Sequence, residues 1–108
     1  MSGEWMRVAA ASDVPEGGTL RVSYEGELVC LYRLEGHVYA TQDVCTHGAA
    51  SLSEGYVDGD RIECPFHQGL FHIPTGRAVG LPCTVDLKIY EVVVDGEDVS
   101  IKGYGSRS

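Results

Sequence analysis

Leu20-Arg21-Val22-Ser23-Tyr24-Glu25-Gly26-Glu27-Leu28-Val29-Cys30-Leu31-Tyr32-Arg33 is the stretch that decides the fold class. Apolar and polar residues alternate on both sides of Glu25-Gly26, so each half reads as a half-buried strand, and the glycine offers the positive φ that a tight turn needs. The same pattern recurs further along. Leu87 to Val94 and Val99 to Lys102 alternate around Asp95-Gly96, Asp58-Gly59 marks another hairpin turn, and Glu35-Gly36, like Glu25-Gly26, is a weaker version. No run of about ten residues places apolar side chains at three- and four-residue intervals, so helix is confined to short turns, near Ala11 to Val14. The expectation is an all-β chain of antiparallel hairpins.

At 108 residues the chain is one domain, spanning 1–108, with room for a modest core but not for a deep substrate cleft as well. Sixteen acidic against eight basic residues leave a formal charge of -8. That balance argues against nucleic acid and anionic membranes; it serves solubility or a basic partner. No basic segment followed by an apolar run opens the chain, and no apolar run approaches the ~20 residues of a membrane span, so a cytoplasmic protein is expected. The Gly- and Ser-containing tail from Gly103 to Ser108 is expected to fray.

Four cysteines in a short secreted chain would suggest a disulfide framework, but two of these sit beside histidines at regular offsets, which favours metal. The segments are Cys45-Thr46-His47-Gly48 and Cys64-Pro65-Phe66-His67-Gln68-Gly69, with sixteen residues between His47 and Cys64. Each loop offers one thiol and one imidazole, a donor set for borderline and soft metals, and the glycines let backbone approach a metal or inorganic sulfide closely. Structural zinc sites draw on pairs of like ligands at short spacing. A mixed pair from each loop fits better a two-iron cluster whose one iron takes both cysteines and the other both histidines. Zinc and iron–sulfur both remain open on spacing alone.

The pattern carried by Cys45-Thr46-His47 and Cys64-Pro65-Phe66-His67 resembles the Rieske family. The run from Tyr39 to Gly48, Leu52-Ser53-Glu54-Gly55, Thr75-Gly76 and Pro82-Cys83 extend the likeness, to the Rieske ferredoxins of aromatic-ring-hydroxylating dioxygenases. The resemblance implies an antiparallel β-sandwich with a small cluster-binding subdomain made by loops at about 43–52 and 64–69. It also implies one [2Fe–2S] cluster on Cys45, His47, Cys64 and His67. The chain would then be no enzyme itself but a carrier between a flavin-dependent ferredoxin reductase and a terminal oxygenase, working as a monomer. The rival readings are a Rieske-like small subunit of an assimilatory nitrite reductase and a zinc-stabilised interaction module.

Rieske proteins of respiratory complexes carry an extra cysteine in each loop; here Ala50 and Phe66 take those places, and Gly69 stands where those proteins have a hydroxyl. Fewer donors to the cluster imply a potential near the low end of the Rieske range, roughly -150 mV. With His47 and His67 assigned, only His37 and His72 remain, too few for a mononuclear iron site, and no dinucleotide fingerprint is present. His47 and His67 are expected to form the docking apex, with Asp43, Glu54, Asp58, Asp60 and Glu63 steering a basic partner. Cys30 reads as a small buried hydrophobe, Cys83 as packing near the cluster, and Pro82 as a shield against water. His37 and His72 read as exposed histidines without a role, and Trp5 and the tyrosines as core and surface aromatics.

Overall fold

The computed structural model describes residues 5–46, 50–66, 69–81 and 84–103. Strand formation follows the alternation: β1 is Met6–Ala10, β2 Thr19–Tyr24, β3 Glu27–Leu34, β4 His37–Gln42, β5 Tyr56–Asp58, β6 Arg61–Glu63, β7 Leu70–His72, β8 Ala78–Gly80, β9 Ile89–Asp95 and β10 Asp98–Lys102. Single 3-10 turns at Ala11–Asp13 and Leu52–Glu54 are the helical elements among the described residues, as the absence of helical periodicity implied. The strands build two antiparallel sheets, one of six in the order β1-β10-β9-β4-β3-β2 and one of four in the order β5-β6-β7-β8.

The hairpin turns are those the glycines mark, with two adjustments. Glu25-Gly26 and Glu35-Gly36 are full two-residue turns in which both residues adopt positive φ, 50° and 83° in the first, 52° and 82° in the second. That backbone twist matches the flanking strands, and it outweighs the strain of a non-glycine residue there. In the second of these turns the Glu16 carboxylate accepts from the amides of Glu35 (2.6 Å) and Gly36 (3.0 Å). Asp58 and Asp95, by contrast, close their strands, pairing with Arg61 and Asp98, so those turns are Gly59-Asp60 and Gly96-Glu97.

β3 departs from the half-buried expectation. Val29, Cys30, Leu31 and Tyr32 are all buried because the strand runs between two cores. Val29 and Leu31 face one, with Val14, Tyr24, Ala40, Val99 and Ile101; Cys30 and Tyr32 face the other, with Leu52, Ile62, Phe71, Ile73 and Leu87. A continuous apolar run is what a strand buried on both sides requires. β4 follows suit, with Ala40 turned to the first core and Thr41 paired opposite Cys30; the Tyr32 and Thr41 hydroxyls lie 2.8 Å apart. Leu87 precedes β9 rather than starting it: its amide donates to the Gly76 carbonyl at 2.7 Å and its side chain enters the second core.

Candidate metal centre

Two loops bring Cys45 and Cys64, the expected ligands among the described residues, to one end of the four-stranded sheet. The first leaves β4 at Gln42 and runs through residues 43–51; the second joins β6 to β7 through residues 64–69. In the first loop Val44 bridges to Ser51 and the Cys45 amide donates to the Ala50 carbonyl at 2.8 Å. In the second, the Cys64 amide donates to the Gly69 carbonyl at 2.9 Å, one step past the Glu63–Leu70 pair, so the loop extends the hairpin ladder. A Cβ on Gly55 would collide with the Glu63 carbonyl oxygen, so only glycine lets the end of the first loop lie this close to β6.

Cys45 and Cys64 are 3% and 0% exposed and share the core of Leu52, Ile62, Phe71 and Leu87. Two thiols delivered by separate loops into one apolar pocket are the donors and the dry setting that an iron–sulfur cluster takes, so the described residues fit such a group. His47 and His67 lie outside the described residues, as do Pro82 and Cys83. Among the described residues no three Cys, His, Asp or Glu side chains gather to hold a metal ion. The described part of the expected ligand set is therefore the cysteine pair.

Side chains to which the sequence assigns no supporting role hold the first loop. The Gln42 amide nitrogen donates to the Val44 carbonyl at 2.7 Å while its oxygen accepts from the Lys88 amide at 2.7 Å. The Thr46 hydroxyl donates to the Val85 carbonyl at 2.6 Å. Asp43 is fully buried; its carboxylate accepts from the Ser53 amide at 2.9 Å, its carbonyl accepts from the Leu52 amide at 2.7 Å, and its second carboxylate oxygen has no hydrogen-bond partner among the described residues. Asp43 thus leaves the set of acidic residues expected to steer a partner, because a buried carboxylate presents little field to solvent.

Glu54 and Glu63 stay at the surface, beside Cys64, in a cleft of about 270 Å³ that Tyr56 and Pro65 complete. His72 also departs from expectation. Its ring nitrogens lie 3.0 Å from an Asp60 carboxylate oxygen and 2.8 Å from the Thr75 hydroxyl, tying the β5–β6 turn to the segment after β7. His37 is exposed at the start of β4, and Cys30 is fully buried, with its thiol pushed up to about 12 by burial. That makes Cys30 an inert core residue, in keeping with its alternating context. Trp5 is a surface aromatic with the Lys102 ammonium 5.7 Å from its ring centre.

A family model described as the Rieske [2Fe-2S] domain matches residues 4–91. The ferredoxin component of a naphthalene 1,2-dioxygenase system from Pseudomonas aeruginosa is 46% identical over 101 residues, covering 94% of this chain and 97% of that protein. Ferredoxin CarAc of Metapseudomonas resinovorans is 49% identical over 100 residues, covering 92% and 94%. A chain in the solved complex of reduced oxygenase and oxidized ferredoxin in carbazole 1,9a-dioxygenase superposes with a TM-score of 0.88 at 47% identity, over 96% of this chain and 97% of that one.

Proposed function

The chain belongs to the Rieske [2Fe-2S] domain family and carries one cluster of that type, and on that premise we propose that Cys45, His47, Cys64 and His67 hold the cluster. The protein is the ferredoxin of an aromatic-ring-hydroxylating system, taking single electrons from a flavin-dependent reductase and passing them to a terminal oxygenase. It works as a monomer in the cytoplasm. Relatives that share nearly half of its residues over more than nine-tenths of the chain bear ferredoxin names, which favours this reading over a nitrite reductase subunit.

The observation that carries the proposal is the depth of the cysteines. They are buried, yet the segments around them expose apolar side chains: Leu81 is 81% exposed, Phe66 69%, Val85 60% and Val44 47%. A partner that covers this rim gains apolar contact around its centre and comes within a short distance of the buried thiols. When bound, the cluster supplies a one-electron couple. The chain itself excludes water from the two thiols through Leu52, Ile62 and Phe71, and keeps both loops in one geometry so that little has to move. A cleft of about 580 Å³ lined by Glu16, Glu35, His37 and Asp60 lies beside the β5–β6 turn, at the end of β6 away from Cys64.

Absorption and EPR spectra before and after dithionite, with iron and acid-labile sulfide assayed on the same sample, test the centre. Two irons and two sulfides per chain are expected, with a reduced-state signal of low average g; a colourless zinc protein would overturn the proposal. Bleaching of the visible band by NADH in the presence of a flavin-dependent reductase, and its return on adding a ring-hydroxylating oxygenase, tests the direction of flow.

A further inference from the structure

The peptide joining Val44 to Cys45 is held at both ends. Its carbonyl, from Val44, accepts from the Gln42 side chain at 2.7 Å, and its N–H, from Cys45, donates to Ala50 at 2.8 Å. A peptide plane fixed at both ends fixes the next Cα and the N–Cα axis about which its Cβ turns. Gln42 is itself fixed from outside the loop, because its oxygen accepts from the Lys88 amide and its backbone amide donates to the Lys88 carbonyl at 2.8 Å. The backbone before Cys45 is thus referenced, through one side chain, to the start of β9 rather than only to its own loop.

We propose that Gln42 is a positioning residue for the metal centre: by bridging Lys88 to Val44 it sets the backbone position and N–Cα axis from which the Cys45 thiol extends. Both ends of an amide are needed, one to accept and one to donate, and no other side chain of this length offers both. With the bridge cut, the Val44 carbonyl turns toward solvent and water gains access beside the thiol. Water stabilises the more negative reduced form, so the poise of the couple shifts toward reduction.

The test uses the cluster-loaded protein and three variants, read by amide hydrogen exchange and by redox titration. Gln42→Leu removes both arms, and the amides of Lys88 and Cys45 are expected to exchange about tenfold faster. Gln42→Glu keeps an acceptor for Lys88 and loses the donor to Val44, so only the Cys45 amide accelerates. At the wild-type midpoint the ratio of reduced to oxidised protein rises about threefold in Gln42→Leu, whereas Gln42→Glu is read by exchange alone because its added negative charge opposes reduction. Thr75→Ala, which removes a hydrogen bond from His72 at the end of the β6–β7 ladder away from Cys64, leaves that ratio at one. Unchanged Cys45 exchange in Gln42→Leu, equal acceleration of both amides in Gln42→Glu, or an unmoved ratio in Gln42→Leu overturns the proposal. If Gln42→Leu does not fold, Gln42→Glu decides alone. The redox arm rests on the ligand set proposed above, whereas the exchange arm does not. Iron and sulfide missing from the wild type would sink that ligand set and leave the Gln42 bridge standing on exchange.

Discussion

Among the described residues the second loop is held by backbone, and the first by backbone and side chains together. Residues 64–69 cap a two-strand ladder in which Ile62 faces Phe71, Glu63 faces Leu70, and the Cys64 amide adds one more rung. The first loop has one matching backbone bond, Cys45 to Ala50, beside the Val44–Ser51 bridge, and leans in addition on the side chains of Gln42, Asp43 and Thr46. A loop built from backbone hydrogen bonds accepts many side chains, because every residue supplies the same groups. A loop built from side chains concentrates its geometry in a few positions, where one substitution is felt. Two nearly identical ligand spellings are therefore supported by different physics.

The comparison can be broken, first, beneath the second loop. Phe71→Ala empties the core under its ladder and is expected to cost about 3–5 kcal/mol in a denaturant titration, more than any polar substitution in the first loop. A smaller loss than that of Asp43→Ala would mean the ladder does not depend on its core. Asp43→Ala strands the Ser53 amide and is expected to cost about 1–3 kcal/mol, with faster exchange at that amide, whereas Asp43→Asn keeps an acceptor and costs less. Equal losses for both would show that the hydrogen bond to Ser53 is not what matters.

Thr46→Val preserves shape and removes the hydrogen bond to Val85, with an expected loss of about 1 kcal/mol confined to the first loop and residues 84–88. Protection of the Cys64 amide should not change. The smallest effect serves as a control on the body of the protein. The Ser12 amide hydrogen-bonds the Glu97 carboxylate at 3.0 Å and holds it below its ordinary value of 4.5. A lowered folded-state value means the contact stabilises above the ordinary value and is lost as pH falls through the lowered one. The difference in denaturation midpoint between wild type and Glu97→Gln should be present at neutral pH and shrink below pH 4.5, with neither cysteine amide responding.

The strands were legible because a one-sided core imposes alternation, and the glycine turns because few residues tolerate positive φ. β3 breaks the half-buried expectation: the apolar run Leu28-Val29-Cys30-Leu31-Tyr32 carries the signal of burial on both faces, which Val29 to Tyr32 fulfil while Leu28 stays exposed. The expected ligands were legible as a spacing. Their supports were not, since Gln42 and Thr46 look like any polar loop residues, and their partners lie 46 and 39 positions away. Asp43 was read as a surface charge because a buried carboxylate is rare and only the fold brings the Ser53 amide to it. His72 acquires partners only when the β5–β6 turn folds toward it.

The pairing of Thr41 with Ile89 places β4 and β9 side by side, although everything between them in sequence belongs to the two loops and the smaller sheet. In topological terms that smaller sheet is a graft, entering and leaving the six-stranded body at one seam. Doubling the length of such an insertion adds only about 0.6 kcal/mol of closure cost, so loops can lengthen without disturbing the register of the body. What the body must keep is the face of β3 that carries Cys30 and Tyr32, the apolar ground on which any replacement would have to stand.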